Sequence, residues 1–478
     1  MKNKTMMIDY YEFTMAKTYF DNGEKDRKAC FDLFFRTNPF GGGYAIAEGL
    51  DNIVEYIKNF KISEDDIAYL REVGSFSEEF LHYLKNLKFT GDIYAIPEGT
   101  PVFPNEPVVT VVANIIEAQL IETSLLTSFN HGTLVTTAAK RITHAAGDIP
   151  VMEFGARRAR GDDSAIEASK YAFVGGCAGT SNTQSAKEND IPVMGTMAHS
   201  LVSAADSEYE AFLAYAKSNP NNCVFLVYTY DTLRSGVPNA IRVAKEYLVP
   251  NGYKFKGIRI DSGDLAYLSK KARAMLDSEG FTDTGICLSN GLNENTIKSI
   301  LDQGACINSI GAGDNIAASK ERVNGVYKLV AIEKDGTLVP RIKVSEDAAK
   351  TITPAYKKVY RFFDNATGYA LGDVIALADE TIPTDGYTLV SPTEEWKTTH
   401  LENYTVKELQ VPIFLNGELV YNVPSVRERK EYCKQEFAKI YPEIKRAANP
   451  HGYYVDLSDE LLALKKKMIF EARGKKTF

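Results

Sequence analysis

Between residues 151 and 310, short apolar runs alternate with helix-like windows. VMEF (151–154), YAFVGG (171–176), PVMGT (192–196), CVFLVY (223–228), GIRI (257–260), ICLS (286–289) and CINSI (306–310) read as strands. Between most of them lie windows such as SEYEAFLAYAKS, DLAYLSKKARAMLDSEG and NENTIKSILDQG, with apolar residues at the three-to-four spacing of one helix face. The strand-to-strand distance is roughly 20 to 30 residues, the repeat of a right-handed βαβ series. About seven such units predict an α/β fold with an irregular parallel β/α barrel, and an open doubly wound sheet is the alternative.

The flanks follow another pattern. IDYYEFTMAKTYF (8–20) puts Tyr11, Met15 and Tyr19 on one helical face, and KACFDLFF before NPFGGG reads as a strand entering a turn. DIYAIPEGTPVFPNEPVVTVVA carries Pro97, Pro101, Pro104 and Pro107, which exclude a helix and predict short edge strands and turns. Helical patterning occupies 114–146. After Gly325, GVYKLVAIEKDGTLVPRIKVS and YRFFDNATGYALGDVIAL read as hairpins, and VPSVRERKEYCKQEFAKIY and LSDELLALKKKMIFEA as amphipathic helices. The expected organisation is therefore an N-terminal α+β part (1–113), a barrel carrying the active site (114–324), and a C-terminal part (325–478) that packs with the N-terminal region as a discontinuous second α+β domain.

Composition narrows the class. Lys+Arg 55 against Asp+Glu 63 gives a net charge of −8 over 478 residues, which argues against nucleic-acid binding through a broad basic surface. An anionic substrate would then need local positive charge. The cysteines at 30, 177, 223, 287, 306 and 433 show neither CxxC nor zinc-like spacing and read as reduced thiols. MKNKTMMIDYYEF has no apolar signal core, and no run approaches the length of a membrane span, so a soluble cytoplasmic protein with no membrane partner is expected.

Chemistry gathers behind the strands. VMEF is followed by GARRARGDD, YAFV by GGCAGTSN, PVM by GTMAHS, LVYTYD by TLRSG, GIRI by DSGD, and INSI by GAGDN. A β/α barrel assembles its site from such strand-end loops. Arg157, Arg158 and Arg160 offer planar donor forks for phosphate or carboxylate, unless Asp162 and Asp163 neutralise them in a solvated loop. GGCAGTSN supplies glycine amides before a helix starting near Ser181. Asp261 and Asp264 could hold Mg²⁺ through water or bind ribose hydroxyls, while Asp261 or Ser262 would equally suit a helix N-cap. His199 has Ser200 beside it and Asp206 downstream, yet no GxSxG and no nearby metal partner. Alone it reads as structural. Among arginines and glycine amides it suits acid–base work or nucleophilic attack on phosphorus.

Taken in order, DYYEFTMA, FDLFFRTNPFGGGYAIAEGL, FGARRARG, GTSN, GTMAHS, RIDSGDL and GVYKLV, with a weaker likeness in IKVSEDAAKTITP, resemble the nicotinate phosphoribosyltransferase family. The resemblance implies joining of nicotinate to 5-phosphoribosyl 1-pyrophosphate, coupled to ATP hydrolysis through a phosphohistidine and assisted by Mg²⁺, in NAD salvage. It makes His199 the phosphorylated residue and Thr196 a nicotinate contact. Arg259 would face the nicotinate carboxylate, as would Tyr11 from the neighbouring subunit of a homodimer. Arg157 and Arg158 would serve the phosphoribosyl and pyrophosphate groups, Gly311, Gly313 and Asp314 the 5′-phosphate, and Asp261 catalysis. Two positions depart from the pattern: Asp314 stands where threonine is usual, and Cys177-Ala178 where an aromatic and an acid are expected. Rival readings are a nicotinamide or quinolinate phosphoribosyltransferase, a barrel hydrolase using His199 and Asp261 on a sugar phosphate, and an inactive binding relative.

Overall fold

The computed structural model describes residues 4–347, 350–391, 394 and 396–474. Met1 to Asn3 of the leading stretch, and Ala348 and Ala349 of IKVSEDAAKTITP, lie outside the described residues. The chain forms two compact units, Val135–Lys320 with Ser425–Lys430, and Met1–Leu134 with Glu321–Pro424 and Glu431–Phe478.

In the first of these, six strands pair in parallel in the order Gly179–Thr180, Val151–Glu153, Ser309–Ala312, Gly285–Leu288, Gly257–Ile260, Val224–Leu226. The last strand in sequence thus lies beside the first. Next to Gly179–Thr180 only a single parallel bridge forms, from Thr180 to Val193, and among the described residues no ladder joins that end to Val224–Leu226. Pro192 has no N–H to give, so the expected PVMGT strand shrinks to this one bridge. The closed barrel expected from the repeat is therefore corrected to an open six-stranded parallel sheet.

YAFVGG is not a strand either. It belongs largely to the helix Asp162–Val174, where every residue from Ala168 to Val174 is buried. A helix enclosed on all sides gives the same unbroken apolar run as a buried strand, and periodicity cannot separate them. The strand is instead Gly179–Thr180, inside the expected loop, and the CINSI strand begins only at Ser309.

Alternation along the remaining strands places the chemistry. Ile258 and Ile260, Ile286 and Leu288, and Ile310 and Ala312 are buried in one core. Arg259 and Gly311 consequently project from the opposite face, and the register sets Arg259 beside Cys287. Asp264 caps the helix Leu265–Ser278 by accepting the Tyr267 N–H at 2.9 Å, so the cap lies beyond Asp261 and Ser262.

The other unit centres on a sheet ordered Thr337–Pro340, Gly325–Lys334, Lys28–Phe35, Val109–Asn114, Asp92–Ala95, Val411–Leu415, Glu418–Leu419, every neighbour antiparallel. Asp92–Ala95 and Val109–Asn114 are interior strands, contrary to the edge position that their prolines predict. Pro97, Pro104 and Pro107 fall in the connections, and only Pro101 starts a strand, the two-residue Pro101–Val102. The helix Tyr10–Asp21 buries Glu12, Phe13 and Ala16, so its packed face is rotated from the Tyr11, Met15, Tyr19 stripe and Tyr11 is exposed. No helix among the described residues is long and apolar enough to cross a membrane.

Candidate active site

Three strands deliver one interlocked cluster. Arg259 donates from Nε to Ser289 Oγ at 2.9 Å and from Nη2 to Asp261 Oδ2 at 2.6 Å, while Ser289 Oγ donates to the same Asp261 oxygen at 2.7 Å. The guanidinium also lies 5.5 Å from the centre of the Phe154 ring. These contacts fix the plane of the fork and leave Nη1 without a hydrogen bond among the described residues. A guanidinium held this way is prepared for a planar anion.

Asp261 extends the cluster to His199. The Tyr228 hydroxyl bonds to Asp261, and burial, opposed by Arg259 and reinforced by Asp261, pushes that phenol up to about 12, so it stays protonated at neutral pH. The Tyr228 ring meets the His199 imidazole edge-on, with centroids 4.6 Å apart at 90°. His199 opens the short helix His199–Ser203, is exposed, and has Nδ1 3.2 Å from Thr229 Oγ1. That contact engages one ring nitrogen, so Nε2 is the atom open to a reaction partner. Upstream, the Thr196 hydroxyl is buried with no hydrogen bond among the described residues. Such a group gains by finding a ligand atom.

Arg157 and Arg158 stand exposed on the turn Ala156–Arg158, with Arg158 Nε 3.3 Å from Asp314 Oδ1. Asp314, the first departure from the family pattern, is thus a counter-ion to an arginine. Gly311 and Gly313 also have a packing role: a Cβ on Gly311 would lie 2.7 Å from the Phe154 ring, and one on Gly313 would lie 2.8 Å from the Phe154 carbonyl oxygen. At the second departure, Cys177 is buried, its thiol pushed up to about 12 by that burial, and its carbonyl accepts from Lys430 Nζ at 2.6 Å. It is a core residue.

Asp264 spends one carboxylate oxygen on its helix cap, and the described residues include no group of three or more His, Cys, Asp or Glu shaped for a metal. Tyr11 belongs to the unit containing both chain ends, where desolvation and the nearby Glu122 raise its phenol well above the usual range. Sequence reasoning missed Phe154, Tyr228, Thr229 and Ser289. Their only signal is position, since each follows the last paired residue of a strand within a few places.

Comparison with known proteins identifies the family. Family models described as the nicotinate phosphoribosyltransferase N-terminal domain, family and C-terminal domain match residues 6–130, 149–368 and 356–465. A nicotinate phosphoribosyltransferase of Bacillus subtilis is 44% identical over 474 residues, covering 98% of this chain and 96% of its own, and one of Mycobacterium tuberculosis is 37% identical, covering 96% and 92%. The crystal structure of human nicotinic acid phosphoribosyltransferase superimposes with a TM-score of 0.82 at 29% identity, covering 96% of this chain and 99% of that one. The fold is that of a mixed α/β protein whose parallel sheet carries a cluster of polar side chains at its strand ends. The chain belongs to the nicotinate phosphoribosyltransferase family.

Proposed function

We propose that this chain joins nicotinate to 5-phosphoribosyl 1-pyrophosphate, releasing nicotinate mononucleotide and pyrophosphate for NAD biosynthesis, and couples the transfer to ATP hydrolysis through a phosphohistidine at His199. The observation that carries this reading is the Arg259 fork, oriented by Asp261 and Ser289 with Nη1 left over, which matches a single aromatic carboxylate.

The pyridine nitrogen is itself the nucleophile and needs no base. It forms the bond to the ribose C1 as the C1–O bond to pyrophosphate breaks, and the chain's task is to hold the two in line. Arg157 and Arg158 neutralise the departing oxygens, and the Gly313–Asp314 turn receives the 5′-phosphate. In the coupled reaction His199 Nε2 attacks the γ-phosphorus of ATP, and ADP leaves with the electrons of the broken P–O bond. Hydrolysis of the N–P bond later returns the imidazole and inorganic phosphate. The phosphorylated ring carries about two negative charges next to Tyr228 and Thr229, and these reorganise the strand-end loops.

Asp261 and Asp264 would hold Mg²⁺ through water, together with the substrate's phosphates, as hard-oxygen donors. When bound there, the ion would neutralise charge on the pyrophosphate. A dimer in which Tyr11 reaches the partner's site, and a cytoplasmic location, belong to the same reading.

The test is product formation with nicotinate, nicotinamide or quinolinate in competition, at fixed 5-phosphoribosyl 1-pyrophosphate and Mg²⁺. Nicotinate should be used preferentially, because Arg259 rewards one carboxylate. Preference for another pyridine, or no need for the phosphoribosyl donor, would refute the reading.

A further inference from the structure

The strand Val151–Glu153 ends on a carboxylate that is 0% exposed. A buried carboxylate is tolerated only when its oxygens are satisfied. Here Oε1 accepts the Gly155 backbone N–H, and Oε2 accepts the Ser169 hydroxyl at 2.9 Å and the Thr180 hydroxyl at 2.6 Å. The backbone is engaged as well: the Glu153 carbonyl accepts the Ser181 N–H at 3.0 Å, and the Phe154 N–H donates to the Ala312 carbonyl at 2.7 Å.

These bonds reach the first residues of three strand-end loops. Gly155 begins the segment carrying Arg157 and Arg158, Thr180 and Ser181 begin the GTSN turn, and Ala312 precedes the Gly313–Asp314 turn. There is little slack between them, since a Cβ on Gly155 would lie 2.7 Å from the Gly313 carbonyl oxygen and 2.8 Å from Glu153 Oε1. The start of the arginine loop is thus packed directly against both the carboxylate and the Gly313 turn. Arg157 and Arg158 themselves are exposed, and the one ion pair on them among the described residues, Arg158 to Asp314 at 3.3 Å, is solvent-exposed too, so their placement leans on the backbone that carries them.

We infer that Glu153 is a positioning residue for the phosphoribosyl donor, holding the arginine loop and the two glycine-bearing turns in the one arrangement that receives the donor's phosphates. The inference rests on the function proposed above and adds a residue that touches no substrate. It is selective in its hydrogen bonds: those of the Glu153 carboxylate go to Gly155, Ser169 and Thr180, and among the described residues none joins the Arg259, Asp261 and Ser289 network at the nicotinate end.

Hydrogen-bond geometry, rather than charge, is what the loops need. A glutamine has the same shape and keeps one oxygen for the Gly155 N–H. Its amide can face the two hydroxyls, and the Ser169 hydroxyl already has the Ala165 carbonyl at 3.1 Å as a second acceptor. Alanine leaves the Gly155 N–H and both hydroxyls without their shared acceptor.

The experiment compares Glu153→Ala and Glu153→Gln with the unaltered chain by steady-state kinetics and by calorimetric titration with pyrophosphate. Glu153→Ala should raise KM for 5-phosphoribosyl 1-pyrophosphate by about tenfold or more and weaken pyrophosphate binding in parallel, with KM for nicotinate changed less than about twofold. Glu153→Gln should recover both quantities to within about threefold. A parallel rise in both Michaelis constants, a fall in kcat alone, unaltered pyrophosphate binding, or no recovery with glutamine would overturn the role. Should Glu153→Ala fail to fold, Thr180→Val and Ser169→Ala each remove one donor to Oε2 and should raise the donor KM selectively by about three- to tenfold; an unselective effect counts against the inference. An unaltered chain that neither binds nor uses the donor defeats the proposed function itself, whereas one that uses it with an unselective Glu153→Ala defeats only the assignment of Glu153.

Discussion

Arg361, in the unit built from both ends of the chain, has 1% of its side chain exposed and donates to Asp373 through Nε at 2.8 Å and Nη2 at 2.7 Å. Its guanidinium is flanked by the Phe103 and Tyr453 rings at 5.3 and 5.6 Å, and the Tyr453 hydroxyl donates to Asp373 at 2.7 Å. Arg158, in the sheet-end cluster of the other unit, is 57% exposed and meets Asp314 at 3.3 Å. Both arginines have a carboxylate partner, but only the first is sealed. Removing a guanidinium from water costs several kcal/mol, which the Arg361 cluster offsets by pairing and stacking. Arg158 stays hydrated and weakly held, which under the proposed function leaves it available to an incoming phosphate. Arg259 lies between these cases, oriented by two bonds with one donor group left open. Structural charge is recognised by how completely it is satisfied, and ligand-binding charge by what is left over.

The largest expected effect is on the sealed side. Arg361→Leu leaves the Asp373 carboxylate buried without its partner and should cost about 3–5 kcal/mol in urea-induced unfolding, with Michaelis constants of the surviving folded enzyme little changed. A stable Arg361→Leu would erase the contrast. At the strand ends, Arg259→Ala should lower kcat/KM for nicotinate by about 10- to 150-fold, the worth of a hydrogen bond to a charged group, while the unfolding midpoint hardly moves. A large fall in that midpoint would place Arg259 with the structural arginines.

Glu12 sharpens the comparison through pH. It is buried, takes a 2.5 Å hydrogen bond from Thr123, and burial raises its carboxyl to about 7. The folded chain then binds more protons than the unfolded chain between roughly pH 4.5 and 7, so this group's contribution to stability declines as pH rises through that window. Glu12→Gln should flatten the decline, by on the order of 2 kcal/mol, when unfolding free energy is measured from pH 5 to pH 8; an unaltered slope would mean that Glu12 ionises normally. The smallest effect concerns Asp314. Exposed ion pairs contribute about 0–1 kcal/mol, so Asp314→Asn should lower KM for the phosphoribosyl donor by about two- to fivefold by freeing Arg158. A higher KM would make Asp314 a ligand contact instead of a competitor.

Much of this was legible in the chain. Alternating runs located GIRI, with Arg259 inside it and Asp261 directly behind it, and ICLS, while His199 was found behind PVMGT although that run forms only one bridge. The misses have physical causes. YAFVGG is enclosed on all sides and loses the periodicity that distinguishes helix from strand. Closure of the sheet depends on pairing at Val193, where sequence gives only propensity. The cap fell to Asp264 because Asp261, Ser262 and Asp264 can each begin a helix, and only packing decides. Glu153 and Arg361 were invisible for a shared reason: burial of a charge is decided by distant partners, Ser169 and Thr180 for one, Asp373 and Tyr453 for the other.

Under the proposed function, the strand-end cluster couples phosphoryl transfer to mononucleotide formation with His199 as the acceptor. The most direct measurement is the ratio of nicotinate mononucleotide formation with and without ATP, for the unaltered chain and for His199→Ala. ATP should accelerate the former, whereas His199→Ala should keep a slow transfer that ATP no longer stimulates. Undiminished ATP stimulation in His199→Ala would contradict the account.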